Sequence, residues 1–464
     1  MTAAPATLGA TRDLAAYVAG FDPASLAGET LEHAKQAVLD LIGIAVRARA
    51  ETQTSAALHR AVGSLDPSGA CTGIGYGPHY AAQYAALLNG ANFHVLDFDD
   101  THERSSLHPG APVIAAALAA GEERHCDGQR LIAAIVAGYD VVVRIGLAAL
   151  PAVHYARGFH PTATAGVFGA TAAVTYVHRE PADVVASAFG INASQAAGSL
   201  QFAVDGAQTK PLQVGFAAHN AVVAHRFAVA GISGPAQALE GRSGFLHAYS
   251  DGASEADVFE RWDGVHEIDR TAFKPYPCCR YMHSAIDTLG AIVRERALTP
   301  DDVELVRIAL PAAGMRLCAH PEEAKRRPRS IVDAQFSMYY AAAATLLHGS
   351  VRWDDYAQRA NPRIAELIER IEVVEDPAVE ALFPQMAARV QVEARGVRED
   401  RLTPSPRGEP ADPLGWDDII EKFHDLAAAG YDAARRERIV EAVRRLDEFA
   451  DVRTVTAELG PVKA

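Results

Sequence analysis

The stretch Phe93–Pro109, FHVLDFDDTHERSSLHP, places Asp97, Asp99, Asp100, Thr101, His102, Glu103 and His108 between two segments with helical apolar patterning. A segment flanked by helices preparing for burial has little structural use for so many titratable groups. Two readings compete: a solvated loop whose aspartates cap the next helix, or a polar site at the junction of two core helices. The flanks decide the fold class. Upstream, residues 81–95 read as a helix, and downstream residues 109–123 continue as PGAPVIAAALAAGEE. Further helices are predicted over about 127–150, 161–178, 181–200 and 211–232. In the N-terminal region Leu31, Ala34, Val38, Leu41 and Ala45 recur at helical spacing.

The texture changes near residue 270. VELVRIALP (303–311), RIEVVED (370–376) and ARVQVEAR (388–395) are short, β-branched and partly alternating, so they are predicted strands, with a helix over 332–347. After the Pro/Gly-rich stretch TPSPRGEPADPLG, helices return at 416–429 and about 431–450. The expected fold is mainly α: residues 1–268 helical, 269–404 a smaller α+β domain, and 405–464 helices that rejoin the first domain.

The chain has 464 residues, more than one simple core accommodates. It is 49% hydrophobic but only 7% aromatic, which suits close helix packing through Ala, Val and Leu. A net charge of −15 argues against nucleic acid and anionic membranes as partners, without excluding a small anion that feels local charge. Five cysteines without CxxC spacing support neither a disulfide framework nor a zinc site. The first twenty residues lack the pattern of a signal peptide and no membrane span is evident, so a cytoplasmic location is expected.

His108, His160, Lys210 and Lys274 each directly precede a proline. For the first three, the proline is expected to open an apolar helix and hold the preceding residue extended. That would set an imidazole or ammonium just ahead of a helix N-terminus, where the field favours an anion and keeps a histidine neutral. Only six lysines occur against 37 arginines, and two of the six sit before proline. A compact, titratable amine is therefore implied at Lys210 and Lys274. Tyr139, Asp140 and Arg144 lie within an apolar helix and need partners or a cavity.

Three motif readings fail on their context. The GIGYG run (73–77) lacks the GK[ST] and βαβ frame of a phosphate loop. LDFDDT matches the nucleophile motif of haloacid-dehalogenase-type phosphatases, but its flanks are helical and no Gly-Asp dipeptide exists for the Mg²⁺ loop. Asp99-Asp100-x-x-Glu103 resembles a prenyl-synthase metal motif without the facing second motif. Cys278 and Cys279 show no dedicated base, so they are read as packed small residues.

In order and separation, NGANFHVLDFDDTH, HPGAPVIAAALA, GYDVVVRIG, GFHPTATAGVFGA, TKPLQVGFAAHNA, EGRSGF, KPYPCCRYMH and PRGEPADPLGWDDIIEKF resemble the MmgE/PrpD family. That family includes 2-methylcitrate dehydratase, cis-aconitate decarboxylase and iminodisuccinate epimerase. The resemblance implies a large all-helical domain built from both chain ends, a smaller α+β lid with the site in the cleft between them, and homodimer assembly. It also implies chemistry on small di- or tricarboxylates without metal or cofactor. The implied catalytic set is His108, His160, Lys210, Lys274 and Asp97, with Tyr139 as a second acid/base if the reaction is an epimerisation. Thr101, Arg144, His283 and Cys279 are the implied substrate-binding residues. Cys279 replaces a site histidine of some members, and PEEAKRRPRS lacks a tyrosine that the decarboxylases carry. Dehydration of a 2-methylcitrate-like acid is therefore ranked first, with decarboxylation and epimerisation behind it. A non-catalytic carboxylate-binding scaffold is the reading from another class.

Overall fold

The computed structural model describes residues 9–254, 258–259 and 263–463; the first eight residues of the stretch tested for a signal peptide lie outside them. The chain forms two compact units. The first comprises the chain up to Val95, Asp99–Thr271 and the segment from Gly415 onward; the second comprises Leu96–Phe98 and Ala272–Leu414.

The first unit is helical: α1 (Ala10–Ala19), α2 (Gly28–Glu51), α3 (Gln53–Gly63), α4 (Ala82–His94), α5 (Gly110–Arg124), α6 (Gly128–Ala148), α7 (Pro151–Ala156), α8 (Pro161–Thr164), α9 (Gly166–His178), α10 (Ala182–Ala193), α11 (Gln201–Asp205) and α12 (Thr209–Val229). α4, α5, α6, α9 and α12 pack on one another as its centre. Small residues make this possible. A Cβ on Gly215 of α12 would lie 2.5 Å from the Leu87 carbonyl oxygen, and one on Gly90 of α4 would lie 3.3 Å from Gly215 Cα. The two backbones therefore approach closely, and an added side chain at 215 would force them apart. α6 is long and apolar enough to cross a membrane, but 94% of its apolar window is buried within the fold. It is a core helix, apolar all round because it is surrounded.

The predicted helix over 161–178 is broken into α8 and α9, and that over 181–200 ends at Ala193. The GIGYG run joins β1 (Ser68–Thr72) and β2 (His79–Tyr80), an antiparallel ribbon absent from the sequence expectation. Its amides serve the fold: Ile74 N–H donates to Asn89 Oδ1 (2.8 Å) and Gly75 N–H to Leu459 O (2.9 Å).

The C-terminal helices Trp416–Ala427 and Ala433–Arg444 belong to this unit. Lys422 Nζ lies 2.7 Å from Asp40 Oδ1 of α2, with both side chains buried. Removing one partner of such a pair strands the other charge. Lys422→Ala is expected to cost about 3 kcal/mol, read from denaturant unfolding; a cost within error of zero would refute the anchoring role.

The second unit carries a four-stranded sheet in the order β4-β3-β5-β6. β3 (Val303–Ala309) runs parallel to β4 (Ile371–Val374) and antiparallel to β5 (Ala388–Ala394), which pairs with β6 (Val397–Thr403). Burial alternates residue by residue along β5, as one covered face requires. The helices His283–Glu295 and Met338–His348 pack together and against the sheet. The predicted helix over 332–347 is interrupted because the Ser337 hydroxyl accepts from Tyr340 N–H and starts a new helix. β6, VREDRLT, is a charged edge strand whose sequence hides its pairing. Arg395 (φ 52°) and Gly396 (φ 71°) form the two-residue turn into it, both left-handed as a tight hairpin needs.

Candidate active site

α4 ends at His94, and the acidic run that follows is buried: Asp97, Asp99 and Asp100 are 3%, 0% and 1% exposed. The solvated-loop reading fails for these residues. Solvent reaches the excursion at 103–106, where Arg104 is exposed, Glu103 and Ser106 are partly so and Ser105 is buried, and His102 and Leu107 close it with a backbone hydrogen bond of 2.9 Å. The capping reading survives for one aspartate. Gly110 N–H, at the first position of α5, donates to Asp100 Oδ1 at 3.1 Å, and Tyr139 Oη donates to Asp100 Oδ2 at 2.7 Å. A Cβ at residue 110 would lie 2.5 Å from both Asp100 Oδ1 and the tyrosine oxygen, so the HPG sequence needs its glycine.

Asp99 organises the imidazoles. Its Oδ2 is 2.7 Å from His94 Nδ1 and its Oδ1 is 3.3 Å from His108 Nδ1. The His94 ring meets the His108 ring edge-on (4.7 Å between centroids) and stacks on the His160 ring (5.7 Å, 26°). His160 Nδ1 is 2.9 Å from Gln213 Oε1, and the Gln213 amide is oriented by its own donation to Ser199 O (3.0 Å). The partner oxygens of His94 and His160 can only accept, so Nδ1 of each carries hydrogen and Nε2 is left as the proton-accepting atom. A carboxylate thus sets the tautomer of His94 and an amide that of His160, while the Asp99 charge also lies beside the His108 ring.

The electrostatics keep this group poised. Burial pushes His94 down to about 4 against the pull of Asp99, and holds His160 well below the ordinary range, helped by His94 and Lys210. Asp99 is held well below the usual carboxylate range by His108 and His94, which outweigh its burial. Asp100 goes the other way: burial and the Asp99 charge raise it to about 8. Two adjacent aspartates are therefore driven apart, one ionised and one inclined to hold its proton.

Of the predicted residues, the first unit brings His108 and His160 together around His94, with Lys210 near enough to act on His94 and His160. His160 caps α8 in extended conformation, as the pre-proline rule requires. Lys210 does not stand ahead of its helix. α12 begins at Thr209, so Lys210 lies within the first turn and Pro211 is its third residue. A proline there removes only an N–H that has no intrahelical acceptor, so the helix starts two residues early. The Thr101 hydroxyl is buried without a hydrogen-bond partner among the described residues, the condition of a group that awaits a ligand.

Tyr139 is committed to Asp100, and burial drives its phenol well above the ordinary range; it positions that aspartate. Arg144 pairs with Glu267 at 3.2 Å, in a network where Asp140 receives Tyr17, His266 and the Glu267 amide. That network answers the need for partners inside α6.

In the second unit, Lys274 is 1% exposed; its ammonium donates to the Asp97 carbonyl oxygen (2.8 Å) and lies 3.4 Å from the Asp97 carboxylate. Asp97 adopts a left-handed backbone (φ 52°) that presents this carbonyl. His283 is held within the protein at both ring nitrogens. Arg280 Nη1 donates to its Nδ1 (2.9 Å) and its Nε2 donates to Cys278 O (3.1 Å), so both nitrogens are used. Cys278 and Cys279 are buried free thiols; a hydrogen bond with Cys318 draws Cys279 down, while burial drives Cys278 up.

The MmgE/PrpD N-terminal domain profile matches residues 12–256, and the MmgE/PrpD C-terminal domain profile matches residues 276–448. The chain belongs to the MmgE/PrpD family. Among relatives, it is 26% identical over 471 residues to the cis-aconitate decarboxylase-like protein oryM of Aspergillus oryzae (strain ATCC 42149 / RIB 40), covering 96% of each chain. It is 27% identical over 489 residues to the cis-aconitate decarboxylase of Aspergillus terreus (strain NIH 2624 / FGSC A1156), covering 98% of this chain and 97% of the relative. The Homo sapiens cis-aconitate decarboxylase is 27% identical over 391 residues, 82% of this chain and 79% of the relative.

Reading the sequence overlooked three members of this constellation in the family fold: His94, Asp99 and Gln213. Gln213 had a usable signal, since it lies one helical turn beyond Lys210. Asp99 figures in the sequence reading only as the acid of a phosphatase motif and as a metal ligand, and nothing local distinguishes its partners from those of Asp97. His94, Asp99 and His108 also offer ligand atoms within 4.8 Å of one another, close enough to be bridged by a small cation.

The buried histidines make acid stability predictable. Burial lowers His33 and His94 to about 4, and His102 and His178 to about 3. Between pH 6.5 and 4 the unfolded chain binds protons that these folded imidazoles refuse, so stability falls as pH falls through that window. Asp100, raised to about 8, and the raised carboxyls of Asp40, Glu267 and Asp269 act in the opposite sense, while His160 and His283, also held well below the ordinary range by burial, add to the four. The melting temperature should drop steadily from pH 6.5 to 4; a flat profile would contradict the burial of neutral rings.

Proposed function

We propose that the protein is a metal- and cofactor-independent lyase acting on a small di- or tricarboxylate by proton transfer at carbon next to a carboxylate. The observation that carries this reading is the Asp99-centred group: His94 and His108 on one carboxylate, His160 stacked alongside, and Lys210 acting on the rings. A neutral imidazole with its hydrogen on Nδ1 accepts a proton at Nε2 without first losing one to solvent, and the imidazolium so formed can return that proton to substrate. His108 and His160 are assigned as the base and acid pair, with Lys210 and Lys274 as the ammoniums that hold carboxylates and stabilise enolate-like charge. Asp97 holds Lys274, and the Thr101 hydroxyl is a substrate donor or acceptor.

Two reactions are favoured by different observations. The printed names of the relatives favour decarboxylation of a cis-aconitate-like acid. Cys279, in place of a site histidine, and the missing tyrosine in PEEAKRRPRS favour loss of water from a 2-methylcitrate-like acid. The test is proton-exchange NMR in D₂O with citrate, 2-methylcitrate, cis-aconitate and aspartate-type acids, each with and without EDTA. Deuterium incorporation or consumption of one acid, undiminished by EDTA, is expected. Loss of activity on chelation would refute metal independence, and silence with every acid would leave the scaffold reading in possession.

A further inference from the structure

A second group of donors lies outside the constellation around Asp99. α5, α9 and α12 bring their C-terminal turns together: Glu123 is the penultimate residue of α5, His178 the last of α9, and His225 lies in the final turns of α12. Glu180 follows α9 and is held by its backbone. Arg179 turns left-handed (φ 60°), its N–H returns to Tyr176 O (3.0 Å), and the Glu180 N–H returns to Thr175 O (3.1 Å). This helix ending fixes where the Glu180 side chain starts.

From there, Glu180 Oε1 reaches 2.9 Å from His225 Nε2, and the His178 and His225 rings stand 4.1 Å apart between centroids. His178, Glu180 and His225 each present one ligand atom, all within 4.8 Å of one another. Their side chains are 12%, 17% and 7% exposed, buried enough to be held and open enough for an ion to enter.

We propose that His178, Glu180 and His225 form a binding site for a divalent transition-metal ion of the zinc(II) type. Two imidazoles and a carboxylate are the donor set such ions take, leaving a coordination position for water. Bonds of about 2.1 Å to a central ion require ligand atoms roughly 3.4 Å apart, so the present arrangement closes on an ion by side-chain adjustment alone. Three helix C-termini add the negative ends of their dipoles. The guanidinium of Arg226 opposes a cation, but Glu123 holds it at 2.7 Å. The ion would pin the end of α9 to α12 and stabilise the first unit by mass action.

The test uses the full-length, untagged, metal-stripped protein titrated with zinc(II) alone, with bound equivalents and melting temperature as readouts. One equivalent with a raised melting temperature is expected. Affinity should fall at least about tenfold in Glu180→Gln and His225→Gln, and persist in Asp99→Asn. Glu180→Gln keeps its shape and an acceptor for His225, so loss of binding there is not loss of fold. Anomalous scattering from a zinc-soaked crystal should place the ion among the three side chains. Unchanged affinity in both variants, binding abolished only by Asp99→Asn, or an ion elsewhere would overturn the proposal.

Discussion

Asp99→Asn is expected to lower turnover by about three to four orders of magnitude while the fold survives. Asp99 sits between two of the rings: its Oδ2 accepts from His94 Nδ1, and its Oδ1 lies 3.3 Å from His108 Nδ1. An asparagine keeps the shape but offers one acceptor and one donor. At least one imidazole must then turn its proton to Nε2, where the reading requires a lone pair. The substitution also removes the charge that stabilises an imidazolium when either ring accepts a proton. The measurement is kcat/KM for the acid that responds in the exchange screen, with circular dichroism as the folding control. A loss smaller than tenfold would show that Asp99 is only a buried structural carboxylate.

His160→Ala should abolish measurable turnover and leave the protein folded. Its ring stacks on His94, packs edge-on against Phe202 (5.5 Å) and is oriented by Gln213. The cavity left behind costs some stability, so the folding control matters here as well. Gln213→Leu separates positioning from chemistry: it frees the His160 tautomer without removing the ring, and should lower kcat more than it raises KM. Unchanged turnover in His160→Ala would remove the acid/base assignment altogether.

These experiments bear on residues of unequal legibility. His108 and His160 were marked by the proline that follows each, because that pair of residues has a backbone consequence readable from sequence. Lys210 and Lys274 stood out because a chain that prefers arginine kept lysine there. Asp99 carried no such mark: three aspartates within four positions are chemically alike until burial and partners separate them. His94 was hidden for the same reason, as the polar end of an apolar helix. β6 escaped because a charged edge strand has neither alternation nor apolar content, and the ribbon at 68–80 because its strands are too short to show a period.

Local periodicity was enough to establish a mainly helical chain, the strands β3, β4 and β5, and, through the order of its motifs, the MmgE/PrpD family. Those properties depend on neighbours a few residues apart, and the chain states them directly. Which carboxylate orients which imidazole, which histidine has no nitrogen to spare, and which aspartate keeps its proton were decided only by tertiary structure. Each of these rests on desolvation, and some on distant partners as well, Tyr139 for Asp100 at 39 positions and Gln213 for the His160 ring at 53, and a local pattern does not encode them.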